Sequence, residues 1–202
     1  MFRCILLAFM AVASANVIQD GACPVMKPVE NFDLNAYQGT WYEISKLPAE
    51  FEKKGKCASA EYKLEGDIFK IKNMHVIDGV QNVVEGTAKA DPTANKTGKL
   101  LVSLNFGEKA KVDSPLSVVA TDYKNYAIAF RCKYDDKKKT HEDHAWVLSR
   151  TKKLEGEAKT AVDNFLKANS KELDAAKFIQ TDFSEEACKF TKTTTITEPP
   201  KQ

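Results

Sequence analysis

Asn31-Phe32-Asp33-Leu34-Asn35-Ala36-Tyr37-Gln38-Gly39-Thr40-Trp41-Tyr42-Glu43 places a Gly-x-Trp at the start of the first long β-type segment of this 202-residue chain. Trp41 needs a buried site with an acceptor for its indole N–H, and Gly39 lets a neighbouring ring or backbone approach closely. Two later segments belong with this one. Thr121-Asp122-Tyr123 follows a strand pattern, and Arg150 stands just beyond the strand Trp146-Val147-Leu148.

Outward from Trp41 the chain reads as a meander. Residues 39–47, 61–64, 68–77, 80–88, 99–106, 116–121, 126–134 and 144–149 have β-type composition. Glu65-Gly66-Asp67, Asp78-Gly79, Asp91-Pro92, Gly107 and Lys124-Asn125 break them apart. The period then changes: Ala158, Ala161, Val162, Phe165 and Leu166 recur at three and four, which predicts one amphipathic helix over 156–169. A short strand is expected around 177–180. Many antiparallel strands and one late helix predict an all-β fold, an eight-stranded up-and-down barrel with a C-terminal α-helix packed on its wall. An immunoglobulin-type sandwich is the competing all-β architecture, and it leaves the helix without a role.

The ends of the chain speak to compartment. Met1 to Ala15 carries one basic residue, an apolar run from Cys4 to Val12 and a small-x-small site at Ala13-Ser14-Ala15, so it reads as a signal peptide with Asn16 as the mature start. A membrane anchor needs about 20 apolar residues, more than this run offers. One domain is expected over 16–190, and the Thr-rich stretch 191–202, ending near Pro199-Pro200, reads as a disordered tail. The net charge of +2 implies no electrostatic partner. Lys137-Lys138-Lys139 lies between acidic pairs and reads as a solvated hairpin tip, so neither a nucleic acid nor a membrane is expected as partner. A homo-oligomer stays open.

Cys4 leaves with the leader, and the remaining Cys23, Cys57, Cys132 and Cys188 predict two disulfides with three possible pairings. Strand parity offers one clue. Tyr126, Ile128 and Phe130 share a face with Cys132, while the other face carries Ala127, Ala129 and Arg131. If the bulky face packs under covering segments, Cys132 faces outward, where a segment carrying Cys23 can meet it.

With Trp41 inward, alternation predicts an inner set: Glu43 and Ser45; Phe69, Ile71, Asn73 and His75; Val84, Gly86 and Ala88; Val102, Leu104 and Phe106; Leu116 and Val118; Ala127, Ala129 and Arg131; His144, Trp146 and Leu148. An eight-stranded barrel is filled by side chains or holds one small ligand. Small Gly86, Ala88, Ala127 and Ala129 favour a cavity, and Phe69, Phe106 and Trp146 give it flat walls. An apolar pocket with few polar groups is the usual form of a binding site.

These segments resemble the lipocalins, and more closely the bilin-binding proteins and insecticyanins of butterflies and moths. The resemblance runs from Asn16 to about Lys189 and rests on Asp20-Gly21-Ala22-Cys23-Pro24, Glu85-Gly86-Thr87-Ala88, Lys124-Asn125-Tyr126, Cys132-Lys133-Tyr134-Asp135, Trp146-Val147-Leu148-Ser149-Arg150 and Asp182-Phe183-Ser184-Glu185, among others. It implies a secreted haemolymph or cuticle carrier holding a linear tetrapyrrole, biliverdin or a related bilin, in the barrel. It implies that Gly39, Trp41, Thr121, Asp122 and Arg150 meet at the closed end, with Arg150 over the Trp41 ring. The same resemblance pairs Cys23 with Cys132 and Cys57 with Cys188. It also places the loop 46–56 at the open mouth, so that Ala49, Glu50, Phe51 and Glu52 line the entrance.

The ligand set expected from parity and resemblance is Glu43, Phe51, Phe69, Asn73, His75, Val84, Leu104, Phe106, Leu116, Ala129, Arg131, His144 and Trp146. Asn73 and His75 either bond pyrrole nitrogens or lactam oxygens, or stand at a water-filled lip. Arg131 either forks a propionate or snorkels to solvent. His141 and His144 point to opposite faces of a strand, so no metal site is expected. A cysteine enzyme needs a free thiolate, and every mature cysteine has an expected partner. A carrier of another small hydrophobic ligand and a lipocalin acting through its outer surface are the alternatives. Asn95-Lys96-Thr97 is the one N-glycosylation sequon.

Overall fold

The computed structural model describes residues 17–49, 54–107 and 113–198; Met1 to Ala15 and Phe51 lie outside them. Eight strands follow in order: β2 (Gly39–Lys46), β3 (Lys56–Glu65), β4 (Ile68–Ile77), β5 (Val80–Ala90), β6 (Lys99–Leu104), β7 (Ser114–Thr121), β8 (Tyr126–Asp135) and β9 (Thr140–Ser149). Each is antiparallel to the next, and β9 returns to pair with β2. The sheet is therefore a closed up-and-down barrel, as the strand pattern predicts, and closure rules out the sandwich. Asp78 and Gly79 join β4 to β5 with φ of 49° and 72°, the two-residue turn whose twist matches the flanking strands.

Alternation divides the apolar residues into two cores. Inside the barrel, Trp41, Tyr62, Phe69, Ile71, Ala88, Leu100, Val118, Ala127 and Leu148 pack with Tyr37 of the short helix α1 (Leu34–Tyr37). On the outside, Val119, Ile128, Phe130, Ala145 and Val147 receive Val162 and Leu166 of α2 (Gly156–Ala168). Ala127 and Ala129 face inward because Ile128 and Phe130 are taken by the helix side.

One end is sealed. The indole N–H of Trp41 donates to the carbonyl of Tyr37 at 2.9 Å, and the Arg150 guanidinium lies 3.5 Å from the Trp41 ring centroid. Arg150 also donates from Nε to the carbonyl of Tyr123 at 3.0 Å and from Nη1 to that of Thr40 at 3.0 Å. Asp122 shapes the turn that presents the Tyr123 carbonyl: its Oδ1 accepts from the backbone N–H of Lys124, Asn125 and Tyr126. Thr121 Oγ1 donates to the carbonyl of Tyr126. Gly39, at φ 95°, stands against Arg150, where a Cβ would meet Nη1 at 3.3 Å. Val29 crosses below, accepting from Gly98 N–H and donating to the Val118 carbonyl.

At the other end the barrel strands diverge, and terminal segments fill the gaps between them. β1 (Val17–Asp20) pairs with β9. β10 (Ile179–Gln180) pairs with β2, and the next residues reach β3 where Cys57 N–H donates to the Asp182 carbonyl. After α3 (Glu185–Cys188), β11 (Lys192–Thr195) runs parallel to Val80–Val83 of β5. This corrects the expectation of a disordered tail from residue 191. Among the described residues β6 does not extend beside Val80–Val83 of β5, and the open backbone groups there recruit the tail. The disulfides Cys23–Cys132 and Cys57–Cys188, the pairing the resemblance implies, tie both terminal segments to the barrel. Cross-linking residues 109 and 131 apart removes unfolded-chain entropy worth about 4 to 5 kcal/mol each.

Candidate ligand-binding site

The site is the inner wall above the sealed floor. Residues directly opposite on antiparallel strands share a face, and the register lays out the wall. Phe69 faces Ala88, Ile71 faces Gly86, Asn73 faces Val84, and His75 faces Asn82. Leu104 lies opposite Gly86 and Leu116 opposite Leu100. Across β8 and β9, Ala127 meets Leu148, Ala129 meets Trp146, and Arg131 meets His144. Because Phe69, Ala88, Leu100, Ala127 and Leu148 belong to the inner core, their alternation partners Asn73, His75, Val84, Ala129, Arg131, His144 and Trp146 face inward too.

The floor is aromatic. Tyr37, Trp41, Tyr62 and Phe69 stack edge and tilt, with ring centroids 5.1 to 6.3 Å apart. Phe69 is fully buried in this cluster and belongs to the floor. Burial pushes the Tyr62 phenol up to about 12 and holds that of Tyr37 well above its ordinary range. The Tyr37 hydroxyl finds no hydrogen-bond partner among the described residues.

The rim is polar. The His144 imidazole stacks on Trp146 at 6.1 Å and an interplanar angle of 16°, with Nε2 3.7 Å from Glu142 Oε1. His75 packs against the loop before β3, where a Cβ on Gly55 would lie 3.3 Å from its ring. His141 turns to the other face, its Nε2 3.5 Å from Asp143, so the two histidines do not converge. Glu43 is nearly buried, accepting from Lys46 Nζ at 2.9 Å and from Thr181 Oγ1 at 3.0 Å.

Four expectations change. Ser45 does not face inward: the register shifts between Glu43 and Ser45, which sets Ser45 opposite Val147 of the helix-side core. The same shift places Lys46, read from sequence as the start of a mouth loop, opposite Trp146 as a buried cation. A one-residue slip exchanges the faces of everything beyond it. Gly86 does not widen the cavity. A Cβ there would collide with the Ser103 carbonyl oxygen, so glycine permits β6 to close on β5. Phe106 lies beyond the end of β6 at Leu104, half-buried in an isolated bridge.

Sequence reasoning missed Lys46, Tyr37 and Asn82. The Lys46 signal was hidden by the bulge. Tyr37 lay inside the quoted motif, and the helix that turns it into the barrel is announced by Asp33, whose carboxylate caps it by accepting from Ala36 N–H. With all four described cysteines in disulfides, the barrel offers no thiolate to attack a ligand. Among the described residues no helix is long and apolar enough to cross a membrane.

Comparison with known proteins agrees with this architecture. Residues 38–185 match the model of the lipocalin / cytosolic fatty-acid binding protein family. The bilin-binding protein of Pieris brassicae is 50% identical over 186 residues, covering 92% of this chain and 96% of that protein. Insecticyanin-B of Manduca sexta is 45% identical over 204 residues, 98% of both chains. The solved structure of insecticyanin from the tobacco hornworm superposes with a TM-score of 0.86, covering 93% of this chain and all of that one. A closed barrel sealed by Trp41 and Arg150, matched over most of its length by these relatives, makes the chain a member of the lipocalin / cytosolic fatty-acid binding protein family.

Proposed function

We propose that this chain is a secreted carrier that holds one bilin, biliverdin or a close relative, in the barrel. The observation that carries the reading is the register of β8 on β9: a small Ala129 opposite the flat Trp146, and directly above them Arg131 opposite His144. A planar, mostly apolar tetrapyrrole with two carboxylates suits a wall that is flat and apolar below and cationic at its rim. Similarity to proteins named for bilin binding and to insecticyanins supports the same reading. Two disulfides suit an oxidising compartment.

In this reading Val84, Leu104, Leu116 and Ala129 supply apolar contact, with Phe69 beneath. Asn73 and His75 meet the polar pyrrole edge. Glu43 holds Lys46 in place beside Trp146. Apolar contact supplies most of the affinity, at about 25 cal/mol per Å² buried, less the cost of ordering.

Titration of the mature protein with biliverdin tests the proposal. Saturable quenching of Trp146 fluorescence and a shifted visible band at micromolar protein are expected. No saturable change with biliverdin, together with binding of an unrelated apolar ligand, would overturn the bilin and leave a carrier of a different small hydrophobic molecule.

A further inference from the structure

We propose that the C-terminal strand β11 is part of the ligand-contacting wall, with Thr194 and Ile196 facing the cavity, and that it slows ligand escape. The inference rests on the carrier reading above. It starts from the gap in the barrel: β6 pairs with β5 along Gly86 to Ala90 and Asn105 N–H reaches the Glu85 carbonyl, so among the described residues no barrel strand lies beside Val80 to Val83 on that side. β11 fills the gap from Lys192 opposite Val80 to Thr195 opposite Val83. The ladder runs past both ends of the strand. Thr191 N–H donates to the Gly79 carbonyl at 3.0 Å and Ile196 N–H to the Val83 carbonyl at 2.8 Å. Beyond it the Thr197 carbonyl reaches Gly107, 3.2 Å from where a Cβ would stand, so the tail spans from β5 to the segment that follows β6.

The facing of the tail side chains follows from one hydrogen bond. Thr193 Oγ1 meets Gln81 Oε1 at 3.1 Å, so these two share a face. Gln81 is on the outer face, since its neighbour Asn82 lies opposite inward-facing His75. Alternation then turns Thr194 and Ile196 inward and brings Ile196 level with Val84. From Lys192 to Glu198 the only apolar side chain is Ile196. It is half-buried, while all four residues of β11 are exposed. A polar strand that spends its single apolar residue on the cavity side is built as wall.

The test compares the full chain, a chain ending at Thr191, and the variants Ile196→Asp and Thr193→Val. Truncation spares the Cys57–Cys188 disulfide, which anchors the segment just before the strand. Dissociation of biliverdin is followed by recovery of tryptophan fluorescence, and acrylamide quenching of the ligand-free proteins reads wall closure without any ligand. Truncation and Ile196→Asp should each speed dissociation about tenfold, the effect of losing one buried aliphatic contact. Thr193→Val, on the outer face, should leave it unchanged. Truncation should also raise acrylamide quenching of Trp146.

Equal dissociation rates in the full and truncated chains overturn the proposal. If truncation destroys the native fold, the contrast between Ile196→Asp and Thr193→Val decides, and equal effects overturn it. A full chain that takes up no biliverdin defeats the bilin reading instead. Unchanged acrylamide quenching on truncation would then refute the wall on its own.

Discussion

Arg150 lies with its guanidinium carbon 3.5 Å from the ring centroid of Trp41, and the same side chain donates to the carbonyls of Thr40, Tyr123 and Ala36. One cation thus joins β2, the turn after β7 and helix α1 at the closed end. Burial lowers its pKa from the ordinary arginine value without threatening its charge. A desolvated cation–π pair contributes about 2 kcal/mol.

Arg150→Ala should therefore destabilise the fold by at least about 2 kcal/mol, since it also strips donors from those carbonyls. Bilin affinity of the folded fraction should hardly change, because the floor separates Arg150 from the cavity. Urea denaturation and ligand titration on one preparation check both halves; lost affinity at unchanged stability would contradict the placement of the closed end.

Tyr37 and Tyr62 set the alkaline limit. Their folded pKa values are raised by burial, Tyr62 to about 12, while unfolded phenols ionise near about 10. The folded state keeps protons that the unfolded state has lost, so the stability is intact below the unfolded value and falls as pH rises toward 12. Phenolate absorbance of the native protein should leave these two of six tyrosines silent until the chain unfolds.

Asp143 acts in the acid range. It is fully buried on the outer face beneath the N-terminal segment, with Oδ2 accepting from Gln19 Nε2 at 3.0 Å and facing His141 Nε2 at 3.5 Å. His141 Nδ1 donates to the Gly21 carbonyl, so a proton is needed between Nε2 and Oδ2. Burial raises the Asp143 carboxyl above the ordinary range, and stability from this group is lost as pH rises from that range through the folded value. Asp143→Asn should remove a slope of up to about 1.4 kcal/mol per pH unit. A denaturation series across acid to neutral pH that is identical in the variant would count against it.

Asn95 stands exposed on the tight turn between β5 and β6, at φ 39°, away from the mouth. A glycan there should block neither ligand nor wall. Glycosidase treatment of protein from its native source should give a mass shift with unchanged bilin affinity.

Period-two alternation reads the β8 wall from sequence alone: Ala127 and Ala129 go one way, Ile128 and Phe130 the other, and the two cores divide along that line. The helix is legible for the same reason, since Val162 and Leu166 recur at helical spacing and are its buried pair. Ser45 and Lys46 are misread because a bulge is a relation between two strands, and β2 alone carries no trace of its register on β9. The Lys192–Thr195 strand is misread because composition measures what a segment can bury by itself, whereas here unpaired backbone on β5 supplies the partner.

Element type and face are properties of short stretches, so local periodicity and turn residues determine them: eight barrel strands, one amphipathic helix, the Gly39-Thr40-Trp41 floor. Which cysteines join, where the barrel closes and what fills its gaps depend on residues more than a hundred positions apart. Those contacts form only once loop-closure entropy is met by pairing and burial elsewhere. Lys46 beside Trp146, and Ile196 level with Val84, exist only in the closed barrel, where register and gap turn a lysine and a threonine-rich tail into parts of one wall.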